Sequence, residues 1–123
     1  MTLYEKGARF ERFLVNKFHE NGWISFRSAG SGIMKFIIPD IIAIKGRKVL
    51  MIECKTTKKR GISLKETILE LKKILPISEF DIYIAVKFNR KEPRFYKIQD
   101  LLKKKNFTIS INDEYKVFEE IIV

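Results

Sequence analysis

The sequence predicts an α/β fold, a central mixed β-sheet flanked by α-helices, on three observations. The chain opens on an amphipathic helical segment; two short segments, apolar on both faces, then flank a tight Gly-Arg turn; and a second helical segment precedes a further apolar strand. A hairpin supplies an antiparallel pair, and a strand reached through a crossover helix can lie parallel to it, so the sheet is mixed.

Thr2-Leu3-Tyr4-Glu5 reads as a capping box and Asn21-Gly22 as a helix stop, which predicts a helix over Leu3 to Glu20. Leu3, Gly7, Phe10, Leu14 and Phe18 form its expected core stripe, widened by Phe13 and Val15. Glu11 falls at the edge of that buried face; its ordinary role there is a surface carboxylate pairing with Lys17 or Arg12. Trp23 to Ser28 alternates as a strand, with Ile24 and Phe26 on one face. Ser28 to Gly32 breaks it with small residues, and no Gly-Lys-Ser/Thr follows, so this loop is not a P-loop.

The segment Pro39 to Lys55 is the richest in chemistry. Ile41 to Ile44 and Val49 to Ile52 are apolar throughout, as buried central strands are. If Gly46 and Arg47 form a two-residue loop, with Gly leading as a type II′ turn prefers, Lys45 pairs with Lys48 and Asp40 lies across from Glu53. A four-residue loop keeps that pairing and a three-residue loop shifts it by one. Directly opposed Cβ atoms lie roughly 4.5–5.5 Å apart, and two carboxylates that close repel unless a proton or cation sits between them. Lys55 shares the face of Glu53 because strand side chains alternate. The pattern is that of a metal-ion nuclease, against the plainer alternative that Asp40 caps a turn and Glu53 merely pairs with Lys55.

Farther on, Ser63-Leu64-Lys65-Glu66 reads as a second capping box, opening a helix that Pro76 ends, with Ile68, Leu71, Ile74 and Leu75 as its stripe. Asp81 to Phe88 and Pro93 to Ile98 read as strands, Gln99 to Lys105 as a short helix, and Phe107 to Ile111 as a last strand. The tail Tyr115 to Val123, with Phe118, Ile121 and Ile122, either folds back or meets another subunit.

Composition narrows the function. The 123 residues suit one domain over 1–123. The hydrophobic fraction of 46% excludes a disordered chain, and no apolar run is long enough to span a bilayer. The N-terminus is already patterned as folded structure, so no signal peptide is expected. One cysteine, Cys54, cannot form an internal disulfide, which points to a reducing, cytoplasmic setting, the host's if the chain is viral. His19 is the single histidine and is expected at the surface. Zinc fingers and Cys-His or Ser-His-Asp catalysis therefore lack their raw material, and a bound metal must rely on oxygen ligands, as Mg²⁺ or Mn²⁺ does. The net charge of +10 favours a polyanionic partner, nucleic acid or an anionic membrane surface. Lys55, Lys58, Lys59 and Arg60 follow the acidic residues and Arg27 and Lys35 precede them, as phosphate contacts beside a cutting site would. No basic amphipathic helix supports the membrane alternative.

Pro39-Asp40 followed by Glu53-Cys54-Lys55 resembles the Pro-Asp…Glu-x-Lys signature of the restriction-endonuclease-like nucleases, whose core has the same helix–three strands–helix–strand order. The opening Lys6-Gly7-Ala8-Arg9-Phe10-Glu11-Arg12, the loop Arg27 to Gly32 and Val86-Lys87-Phe88 resemble those of archaeal-type Holliday junction resolvases, cellular or from archaeal viruses. The resemblance covers about Tyr4 to Leu102 and fades at the C-terminus. It implies that Glu11, Asp40 and Glu53 hold Mg²⁺, with the Cys54 carbonyl as a further ligand. It also implies that Lys55 orients the attacking water or stabilises charge at the phosphate, and that Ser31 assists catalysis. Lys6, Arg9, Arg27, Lys58 and Lys59 would contact the DNA backbone. The implied enzyme is a homodimer that cuts opposed strands of a four-way junction in DNA recombination and repair. Other nucleases of this superfamily, and a basic DNA-binding module without catalysis, are the alternatives.

Overall fold

In the computed structural model, residues 1–28, 37–77, 79–105 and 107–123 are described. Helix α1 spans Leu3–Glu20, the bounds that the capping signals predict. The Thr2 hydroxyl accepts from the Glu5 N–H at 3.1 Å, and Gly22, at φ +82°, reverses the chain after the last turn. The buried stripe is narrower than expected: Ala8, Phe10, Leu14 and Phe18 face the core. Leu3 and Phe13 are 82% and 49% exposed, and a Cβ on Gly7 would meet nothing within 4 Å. Leu3 lies in the first turn of α1, and Phe13 falls outside the buried stripe.

Strands β1 (Ile24–Arg27), β2 (Ile41–Lys45) and β3 (Lys48–Thr57) run antiparallel, β5 (Asp81–Phe88) pairs parallel with β3, and β6 (Arg94–Lys97) closes the sheet. The order is β1-β2-β3-β5-β6, with β4 (Gly61–Ser63) and β7 (Thr108–Ser110) forming a separate two-stranded sheet. Helix α2 (Lys65–Lys72) is the crossover between β3 and β5, α3 (Ile98–Lys104) follows β6, and α4 (Phe118–Ile121) ends the chain. The mixed sheet with flanking helices is the fold class that the sequence predicts.

Two apolar clusters cover the sheet. On one face Phe10, Leu14 and Phe18 of α1 pack on Ile41, Ala43, Leu50 and Ile52; on the other Ile68 and Leu71 of α2 and Leu101 of α3 pack on Ile82, Ile84 and Val86. The tail folds back: Phe118 and Ile121 are 2% and 5% exposed, Phe118 stacks edge-on to Phe18 at 4.9 Å, and the Lys48 ammonium donates to the Val123 carbonyl. Of the two alternatives for the tail, burial within its own chain is the one observed.

Three local expectations need correction. Ser63 does not cap α2, because it is taken into β4 opposite Thr108; Leu64 becomes the N-cap, without a side-chain hydrogen bond. Strand β6 begins after Pro93, which has no N–H to give a ladder. Ile24 and Phe26 do share a face of β1, but it is the outward one, 68% and 48% exposed, while Ser25 turns inward and its hydroxyl donates to the Val15 carbonyl.

Candidate active site

The hairpin sets the site. Lys45 pairs with Lys48 and Ile41 with Ile52, the register counted from a Gly46-Arg47 loop. Gly46 has φ +60° and Arg47 does not have a positive φ, the type II′ pattern that glycine permits without strain. The ladder stops one pair short of Asp40 and Glu53, so Asp40 lies in a bend just outside the sheet. That bend is pinned twice: the Ser28 N–H donates to the Asp40 carbonyl at 2.9 Å, and the Ser28 hydroxyl to the Pro39 carbonyl at 2.8 Å. Asp40 Oδ2 in turn accepts the Cys54 N–H at 2.8 Å, tying its carboxylate to β3.

Glu53 is the unusual group. Its side chain is buried, Oε2 stands 3.9 Å from the Lys55 ammonium, and Oε1 is buried with no hydrogen-bond partner. Burial first, and then the Asp40 carboxylate, push its carboxyl up to about 8, with Lys55 opposing. A buried oxygen without a partner beside a second carboxylate is costly in itself, and a cation held between the two would remove both penalties. The donor set is all oxygen, as Mg²⁺ or Mn²⁺ requires, so the residues present fit such an ion.

Glu11 stands apart from this pair. It lies at the edge of the α1 core face as expected, but its partner is Arg27, Nε to Oε1 3.0 Å, not Lys17 or Arg12. Arg27 pairs with Ile41 at the end of β1, so Glu11 reaches the same end of the sheet as Asp40. Its charge is felt at Cys54, whose thiol is pushed well above its ordinary value, by burial first and then by Asp40, Glu11 and Glu53. Among the described residues, no three carboxylate, imidazole or thiol groups converge closely enough to hold a metal ion as the side chains stand. The structure therefore brings Asp40, Glu53 and Lys55 together and keeps Glu11 on an arginine beside them.

The other expected residues divide by position. Lys6 is half-buried and Arg9, Arg27, Lys58 and Lys59 are exposed. Lys6 and Lys58 approach each other, and Lys58 lowers the tendency of Lys6 to hold a proton enough that its ammonium falls below its ordinary value. His19 is exposed at the surface as expected, its Nε2 at 2.9 Å from the Ser25 carbonyl. Ser31 and Lys35 lie outside the described residues. The role of Ser28 is not visible in its residue type, since nothing in a Gly/Ser loop marks one serine as the anchor of Asp40.

A family model described as archaeal Holliday junction resolvase (Hjc) matches residues 2–122. The chain belongs to this family. A crossover junction endodeoxyribonuclease Hjc from Archaeoglobus fulgidus is 37% identical over 108 residues, 85% of this chain and 78% of that protein. A crossover junction endodeoxyribonuclease Hje from Saccharolobus islandicus is 32% identical over 124 residues, 94% of this chain and 91% of that one. The solved structure of the A. fulgidus Hjc, a Holliday junction resolvase, superposes with a TM-score of 0.80 at 30% identity, covering 95% of this chain and all of that one. The Hjc relationship thus extends past Leu102, beyond the span of the motifs, to the C-terminal segment. The curated relatives are nucleases by name, and among the described residues no helix of this Hjc-family chain is long and apolar enough to cross a membrane.

Proposed function

We propose that the chain is a structure-selective endodeoxyribonuclease that resolves four-way DNA junctions by metal-dependent phosphodiester hydrolysis. The observation that carries this reading is the Asp40–Glu53 pair, with Glu53 Oε1 buried and unpartnered beside Lys55. Asp40 and Glu53 would hold Mg²⁺ directly, with the Cys54 carbonyl as a further ligand and Glu11 joining once it leaves Arg27. Such an ion would lower the pKa of a bound water and offset charge on the phosphate and the leaving oxygen. Lys55, within 3.9 Å of Glu53, supplies a fixed positive charge where negative charge develops. Lys6, Arg9, Arg27, Lys58 and Lys59 hold the phosphate backbone, and Ser31 assists at the scissile phosphate. The sequence carries no recognition-helix motif or zinc finger, which favours recognition of DNA shape over sequence.

The working unit of this reading is a single nuclease domain paired as a homodimer, with one site for each opposed strand, acting inside the cell where junctions form. With the tail buried, a second copy needs another apolar surface. Ile24 and Phe26 on the edge strand β1 stand beside Ile44 and Ile42 in register, on the sheet face that α2 leaves open at this edge, and they support contact there. Phe26→Lys is expected to shift the species seen by light scattering from dimer to monomer. A wild-type monomer at micromolar concentration would remove the homodimer from the proposal.

The test is cleavage of a synthetic four-way junction beside linear duplex and a flap, in Mg²⁺ or in EDTA. Paired symmetric nicks on the junction, lost in EDTA, are expected. Cleavage of the duplex or flap instead would move the function to another nuclease of this fold. Tight binding without cleavage would leave a DNA-binding module.

A further inference from the structure

Beyond the carboxylate pair the surface opens into a groove of about 870 Å³, walled by the start of α1, the end of β3 and the β5–β6 turn. It begins where the acidic site stops: Thr56 and Thr57 on its wall directly follow Lys55, and Arg9 and Phe10 directly precede Glu11. Its lining is of two kinds. Lys6, Arg9, Lys58, Lys87, Arg90 and Lys91 bring positive charge, with Glu92 the one carboxylate among the lining residues. None of these six cations is in an ion pair among the described residues, and Lys6 and Lys58 are held side by side despite their repulsion. The second kind is apolar: Phe13 and Leu3 stand 49% and 82% exposed at the groove, over a floor that includes the buried Phe10 and Phe88.

A duplex presents a phosphate surface and keeps its bases stacked inside, so it gains from the cations but has nothing to offer an exposed phenyl ring. An unpaired strand presents both phosphates and base faces, and a groove that tracks charge beside an aromatic platform is how single strands are held. The volume is that of a small-ligand pocket, so a duplex arm can lie along the rim against Lys6, Arg9 and Lys58 but cannot enter. Arg90, at φ +62°, sits at the tip of the turn, where with Lys91 it closes the groove opposite Lys6 and Lys58.

We propose that this groove binds an unpaired DNA strand next to the cutting site, with Phe13 as the base-stacking platform and Arg90 and Lys91 as the far phosphate clamp. The inference extends the nuclease reading but is tested apart from it, because binding is read with no divalent cation present.

The experiment is fluorescence anisotropy of a labelled single-stranded oligonucleotide and of the matching duplex, in EDTA, with wild type, Phe13→Ala and the double variant Arg90→Glu/Lys91→Glu. All three substituted side chains are exposed enough for the fold to persist, which circular dichroism checks. Phe13→Ala should weaken single-strand binding roughly five- to a hundredfold, the scale of removing one base stack, and leave duplex binding unchanged. The double variant should weaken single-strand binding further and flatten its salt dependence by about 0.7 in log–log slope for each phosphate that is no longer neutralised. Equal weakening on single strand and duplex in the double variant, with no effect of Phe13→Ala, would overturn the proposal and leave the groove as a phosphate track under a duplex. Absence of single-strand binding by the wild type would overturn it outright.

Discussion

Asp40 and Glu53 come to one end of the sheet because a two-residue turn sets the β2–β3 ladder that ends one pair before them, whereas Glu11 arrives at the same end through the packing of α1 against β1 and β2. The first arrangement is held by backbone: the β2–β3 ladder, the Ser28 hydrogen bonds and the Cys54 N–H. The second is held by one ion pair whose side chains are 36% and 18% exposed, the kind that contributes up to about 1 kcal/mol. The costly part of the site, two close carboxylates, is thus built on its stiffest scaffold. The adjustable carboxylate is tied by a bond that a phosphate could take from Arg27.

The largest expected effect breaks the hairpin half. Asp40→Ala or Glu53→Ala should lower junction cleavage by at least about a hundred- to a thousandfold, the scale of removing one stabiliser of transition-state charge, while junction binding in EDTA is largely unchanged. Retained cleavage in both variants would refute the site. The next effect is on stability. Glu53 has its folded carboxyl raised from 4.5 to about 8, so the folded state holds this proton more tightly than the unfolded one between those values. Its contribution is therefore full below about pH 4.5 and is lost as pH rises through about 8. Without metal, the denaturation midpoint attributable to Glu53 should fall across that window; Glu53→Gln should abolish the slope, and Mg²⁺ should oppose it.

Smaller changes sharpen the contrast. Gly46→Val puts a β-branched residue at φ +60° and should cost about 1–2 kcal/mol in chemical denaturation. The register, also fixed by the apolar pattern, should survive, so cleavage at saturating Mg²⁺ should persist; loss of cleavage in folded protein would show that the turn alone sets it. The smallest effect is at Glu11. Glu11→Gln should shift stability by no more than about 1 kcal/mol and leave the pH dependence of Glu53 intact, because Glu11 is not among the causes of that shift.

What the sequence made legible follows the same division. Period, caps and turn chemistry are local, and they located α1 and β5 to the residue and set the β2–β3 register from Lys45–Lys48 to Ile41–Ile52, one pair short of Asp40 and Glu53. Features that depend on distant partners were not legible. Ser63 looks like an N-cap until β7 claims it, Phe13 looks like core but stands half-exposed at the groove, and Glu11 pairs with an arginine 16 residues away. The groove cations Arg90 and Lys91 come beside Lys6 and Lys58 only through the parallel pairing of β3 with β5. Motif resemblance supplied the likeness to junction resolvases that periodicity alone could not.

In the proposed function the Asp40–Glu53 pair is a cation site poised by a proton it must give up. Calorimetric titration of Mg²⁺ or Mn²⁺ at pH 7, in buffers of different ionisation enthalpy, counts that proton directly. Binding should release close to one proton per ion well below about pH 8, a release that fades above it, and should be lost in Glu53→Gln. Metal binding of equal strength in Glu53→Gln, with no proton released by the wild type, would contradict it.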